Sequence, residues 1–178
     1  MKHYAAKAGY GLDKKVDQYI SALYTKTAFG TYYVQDTTVD TKTVTSCIGE
    51  LWDALEKVNV KKKFIVVPPW VSLKLNLAGI LHADVLNGEL KNGFIGRNLG
   101  FDIYQSNLCP VPSGTKNAIM AGSYDSIAFC QQIIESEVIR LEKRFADAIR
   151  GLHVWGARCI KPKELFWADM TKATETNI

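Results

Sequence analysis

The sequence has no long hydrophobic run. Its longest apolar stretch, Phe64 to Val71, is broken by Pro68 and Pro69. A membrane-spanning helix needs about 20 apolar residues, so none is expected. Met1-Lys2-His3-Tyr4 carries a basic residue with no apolar stretch behind it, which excludes a secretory signal from the expected features. Cysteine is sparse. Cys47, Cys109, Cys130 and Cys159 lie far apart, with no C-x-x-C pair and no histidine at ligand spacing. That pattern argues against a zinc site and for free, mostly buried thiols in a reducing cytoplasm. A dominant charge is also lacking. The net charge is +4. Residues 1–63 contribute +3 (10 basic, 7 acidic), residues 64–125 nothing (4 and 4), and residues 126–178 contribute +1 (8 and 7). A dedicated nucleic-acid domain would carry a denser basic face.

What is present fits a folded protein. The chain has 178 residues, 47% hydrophobic and 22% charged, enough for one domain or two small ones around a real core. Leu12, Val16, Tyr19, Ile20 and Leu23 recur at helical spacing and predict a helix from Tyr4 to Lys26. It would be about 35 Å long with a narrow apolar stripe, a strut rather than a core helix. Phe29 to Asp40 permits a short strand or an extended loop. Val44, Cys47, Ile48, Leu51, Trp52, Leu55 and Val58 mark a second helix with a buried stripe, with Thr41 or Thr43 as N-cap and Lys61-Lys62-Lys63 complementing its C-terminal dipole. Phe64 to Val67 is a buried strand, and Pro69 opens a helix to Leu77. Asn87-Gly88 and Asn92-Gly93 signal turns, and Ile95 to Ser106 reads as two strands meeting near Gly100. A loop from Cys109 to Asn117, a strand at Ala118–Ala121 and a helical turn from Ser123 to Cys130 follow. Ile133–Leu141 and Ile149–Ile160 are two longer strands joined by the charged Glu142–Ala148, and Leu165-Phe166-Trp167 is a last short apolar piece. The fold class is α+β.

Motifs for chemistry are missing. Gly93-Phe94-Ile95-Gly96 and Ser113-Gly114-Thr115-Lys116 lack the strand–loop–helix frame of a phosphate loop, and Gly122-Ser123-Tyr124-Asp125 is not a nucleophile elbow. His153 and Cys159 would be about 20 Å apart on an extended strand, too far for a Cys–His pair. Glu135 and Glu137 would stand about 7 Å apart on one strand, within the range of glycosidase carboxylates. That leaves a hydrolase using Glu135 and Glu137 as a minor alternative. A nucleic-acid-contacting module built on the basic N-terminal helix (Lys2, His3, Tyr4, Lys7, Tyr10) is the main one. No metal ligand set and no cofactor site is expected.

Several blocks, in order along the chain, resemble one family. Leu12-Asp13-Lys14-Lys15-Val16-Asp17 is similar to the start of a helical spine. Phe64-Ile65-Val66-Val67-Pro68-Pro69-Trp70 is similar to a strand-to-helix passage, and Asn92 to Arg97 with Gly100 to Asn107 to a hairpin. Glu137 to Pro162 is similar to a C-terminal signature. The family is that of tailed-bacteriophage major capsid proteins, whose fold is shared with herpesvirus shells. The resemblance implies a peripheral domain (1–28 plus 133–171, spine helix and β-hairpin), an axial domain (44–132, mixed sheet with flanking helices), a connector (29–43) and a tail (172–178). It implies a structural subunit of a phage or prophage capsid, self-assembling around packaged DNA without catalysis or cofactor. Expected partners are further copies in pentamer and hexamer rings, a scaffolding protein, and genomic DNA touched non-specifically on the inner surface, with no membrane. The expected location is the virion capsid, and the bacterial host cytoplasm during assembly. Family members begin with an N-terminal arm and an extended loop, whereas this chain starts near the spine, so weak self-association is expected. Glu135, Glu137, Glu142 and Asp147 against Arg140, Lys143, Arg144 and Arg150 are the candidate subunit interface, four charges of each sign suited to a head-to-tail ring.

Overall fold

A computed structural model of the chain describes residues 2–23, 30–79, 93–140 and 147–173. The leading helix is α1 (Lys2–Ala22). Then come β1 (Thr31–Val39), α2 (Val44–Glu56), β2 (Lys63–Val67) and α3 (Pro69–Leu77). They are followed by β3 (Phe94–Asn98), β4 (Phe101–Gln105) and β5 (Lys116–Ser123). The chain closes with β6 (Ile127–Arg140), β7 (Asp147–Cys159) and β8 (Leu165–Lys172). Six strands form one sheet in the order β1-β8-β5-β2-β4-β3, and β6 and β7 form a separate two-stranded sheet. In the larger sheet β1 runs parallel to β8 and β2 parallel to β4; the other neighbours are antiparallel. Among the described residues no helix is long and apolar enough to cross a membrane.

The two faces of the sheet are covered differently. On one side α2 lays down Val44, Cys47, Ile48, Leu51 and Leu55, and α3 lays down Val71 and Leu75. These close over Ile65, Val67, Ile103, Ile119, Phe166 and Met170. On the other side Leu165 and Trp167 meet Leu23 after α1, Cys159 at the end of β7, and the neighbouring Phe64, Met120 and Ile127. Pro69 sits at the first position of α3, where its missing N–H is harmless. Leu99 and Gly100 both take positive φ (49° and 75°) in the tight turn between β3 and β4, as a two-residue hairpin connection requires. At Gly122 a Cβ would stand 2.8 Å from Leu165 Cδ1 and 2.9 Å from the Glu164 carbonyl oxygen, so a side chain there would push the start of β8 off β5.

Several expectations need correction. Leu165–Trp167 is no short terminal piece but the start of β8, a central strand buried from Leu165 to Met170. Both of its faces are covered, which erases the polar alternation that announces a strand. The range 133–171 expected for the peripheral domain therefore takes in a strand of the main sheet, and the expected connector 29–43 contains its edge strand, β1. The helical turn expected at Ser123–Cys130 is a tight turn followed by β6, which starts at Ile127. Ser126 fixes that turn: its hydroxyl donates to the Ser123 carbonyl at 2.6 Å, and its own carbonyl accepts from the Ile160 and Lys161 amides.

At the start of α2, Thr43 makes no side-chain cap. The Asp40 carboxylate accepts from the Lys42 and Thr43 amides at 2.8 and 2.7 Å, while the Thr43 hydroxyl oxygen accepts from the Asp40 amide at 2.9 Å. This is the reciprocal arrangement of a capping box, set back from the helix by a turn. Trp52 is 36% exposed at the rim of the α2 stripe, with the Lys63 ammonium 5.8 Å from its ring centroid. Lys63 is thus not a dipole cation at a helix end. It is the buried first residue of β2, ion-paired with Glu56. The turns expected at Asn87-Gly88 and Asn92 fall outside the described residues.

Candidate functional site

The charged candidates lie on β6 and β7, which pair antiparallel along their whole length. The register sets Glu137 opposite Arg150, Arg140 opposite Asp147, and Glu135 opposite Leu152. Glu142, Lys143 and Arg144 lie outside the described residues. Two acid–base combinations therefore fall at directly opposed backbone positions within one hairpin. A register shift between Ile133 and Glu135 places one extra residue in β6. Such a bulge reverses which residues of the strand fall in step with one face of its partner. Sequence spacing alone could not show this.

The hairpin displays apolar groups. Leu152, Val154 and Ile160 are 53%, 48% and 62% exposed, and Phe129 is exposed on β6. On α1, Tyr10, Leu12 and Tyr19 are exposed as well. On the opposite side of β7, His153 and Trp155 are half-buried with ring centroids 5.3 Å apart. Among the described residues neither edge of the hairpin pairs with another strand. Isolated two-stranded ribbons are marginal in water, and unpaired edges are templates for association.

A second feature lies where the sheet meets the root of this hairpin. Four turns surround a cleft of about 940 Å³: residues 59–62 after α2, the β3–β4 turn, the β5–β6 turn and residues 161–164 before β8. Across it, Asp102 uses both carboxylate oxygens. One accepts from Arg97 Nε at 2.6 Å and the other from the Tyr124 hydroxyl at 2.8 Å. The Tyr104 hydroxyl donates to that of Tyr124 at 2.9 Å. The Arg97 guanidinium holds the Asp102 carboxyl below the usual carboxylate range, and the Tyr124 bond adds to this. Burial first, then the bonds to Tyr104 and Asp102, raises the Tyr124 phenol above its ordinary value. Sequence reasoning missed this network because its residues come from three strands or turns. One signal was there: Arg97 and Asp102 flank a Leu-Gly turn and stand opposite each other in the β3–β4 register.

None of this resembles a hydrolytic centre. Glu135 and Glu137 belong to the β6–β7 hairpin and are not among the residues lining the cleft. Among the described residues no group of three or more His, Cys, Asp and Glu could hold a metal ion. The cysteines are free thiols. Cys47 and Cys159 are buried, Cys130 is exposed, and burial pushes the half-buried Cys109 thiol up to about 12.

No family model matches the chain, and no curated protein matches it in sequence. Solved structures do match. A structure of Mycobacterium phage Che8 superposes with a TM-score of 0.74 at 24% identity, over 94% of this chain and 62% of that one. The capsid of cyanophage P-SCSP1u gives 0.71 at 12% identity, over 97% and 66%. A virus-like particle from Pyrococcus furiosus gives 0.60 at 14% identity, over 92% and 65%. The chain thus spans a little under two-thirds of the length of these three. The architecture that they share with it is the tailed-phage capsid fold expected from the sequence blocks.

Proposed function

We propose that this chain, built on the capsid fold, is a structural subunit of a virion shell and works by packing against copies of itself. The observation that carries this reading is the pairing of that fold with a long hairpin whose edges, among the described residues, pair with no further strand. The hairpin and α1 form the peripheral part and the six-stranded sheet with α2 and α3 the axial part, β8 belonging to the latter. The exposed Leu152, Val154 and Ile160 supply apolar contact. The charges from Glu135 to Arg150 set register and orientation, which is where ion pairs at an interface contribute most. Closed rings follow if the contact is head-to-tail and its rotation closes. No bond is made or broken in this role. A scaffolding protein and packaged DNA would be partners of the assembled shell.

Sedimentation velocity on the chain tests this. Weak, concentration-dependent association is expected in the high-micromolar range. A Leu152→Asp, Val154→Asp double variant should abolish association while shifting the melting temperature little, since both side chains are already exposed in the monomer. Association that survives this double change would overturn the hairpin's role.

A further inference from the structure

We infer that the cleft between the four turns binds the phosphate backbone of a single-stranded nucleic acid. This goes beyond the shell reading, because it needs no second copy of the chain. The cleft is lined by five cations and three acids. Three of the cations are answered: Lys63 by Glu56, Arg97 by Asp102, and Lys161 by Glu164 at 3.3 Å. The remaining two, Lys61 and Lys62, are exposed neighbours in one turn. Buried Val60 anchors that turn, and left-handed Asn59 (φ 58°) reverses the chain into it. Two adjacent lysines therefore stand in one turn of the lining.

The second component is Tyr124. The residue is 43% exposed in the lining of the cleft, yet its ring cannot swing freely. Phe64 backs it with ring centroids 5.4 Å apart, and its hydroxyl is held by both Asp102 and Tyr104. A fixed aromatic face beside a row of cations is the combination that grips single strands: phosphates on the lysines, a base on the ring. An acidic peptide would satisfy the lysines and leave the ring unused. At about 940 Å³ the cleft lies near the upper end of small-ligand pockets and has room for more than one nucleotide.

Fluorescence anisotropy of the full chain with a labelled oligothymidine of about ten nucleotides, a length within the usual single-strand site sizes, tests the inference. With Lys61 and Lys62 each meeting one phosphate, log K should fall with log salt at a slope of about −1.4. Lys61→Glu with Lys62→Glu should weaken binding by at least roughly tenfold at low salt and flatten the slope by about 1.4. Lys61→Ala with Lys62→Ala repeats the test without charge reversal. Tyr124→Ala should weaken oligothymidine but not an abasic strand of the same length. Changing Lys14 and Lys15 on α1 to Glu should leave binding intact. The proposal fails if the Lys61/Lys62 variants bind like the parent, or if the α1 change removes binding. It fails also if polyglutamate or inorganic polyphosphate binds as tightly as oligothymidine. Self-association is read separately by sedimentation, so the shell reading can stand or fall alone.

Discussion

Asp102 shows how one side chain can join separate segments. It sits in β4, takes Arg97 from β3 and Tyr124 from the turn leading into the hairpin, and so ties the hairpin's root to the sheet. Its carboxyl is lowered in the fold, first by Arg97. A group lowered in this way stabilises the folded state above its unfolded value of about 3.9, and loses that contribution as pH falls through the folded value. Melting curves of the parent and Asp102→Asn between neutral and strongly acidic pH should therefore differ by a constant gap above about pH 5. The gap should close as the pH falls below about 4. A gap independent of pH would show that the charge on Asp102 is not what holds the network. Trp52 carries a different lesson. Its spacing matches the α2 stripe, but it lies at the stripe's rim under Lys63, and the roughly 3–5 kcal/mol attached to losing a fully buried aromatic ring does not apply to it.

Elements were legible in the sequence where one face is buried and the other wet. Val44 to Leu55 repeats every three or four residues, and α2 lies within a few residues of the range that pattern predicted. Pro69 marked the start of α3 for a steric reason that no tertiary context can reverse. β8 was illegible for the opposite reason: Phe166, Ala168 and Met170 face the helices while Leu165 and Trp167 face the hairpin root, so its pattern is continuous. The cleft was illegible because it is made of turns distant in sequence. In the hairpin, the balance of charge was visible, but the register was not. That register places Glu137 opposite Arg150, so a double-mutant cycle with Glu137→Ala and Arg150→Ala should show a coupling of about 0.2–1 kcal/mol that shrinks in salt. A coupling of zero would mean that the hairpin keeps both charges for a neighbouring molecule.

At the scale of the whole molecule, the order of the sheet sets the terms of folding. β1 near the start of the chain lies beside β8 near its end, and β8 also completes the other side of β5. Every contact that β8 makes with β1 closes a loop of more than a hundred residues. Non-local pairing of this kind slows folding, because chain entropy is surrendered before the contacts form. On a ribosome, α2, β2 and α3 emerge early and can collapse locally. The edges of β5 and β1 must wait for β8, which is translated after both. Until then the apolar surface that Phe166, Trp167 and Met170 will cover is open to other chains. A chain ended after Lys163 should keep helical far-ultraviolet dichroism, lose the cooperative thermal transition and bind hydrophobic dyes. A sharp two-state melt of that shortened chain would show that the sheet closes without its final strand. The order of synthesis then becomes part of the fold's quality control: only a chain that has reached β8 can bury its sheet, and one that has not is marked by what it leaves uncovered.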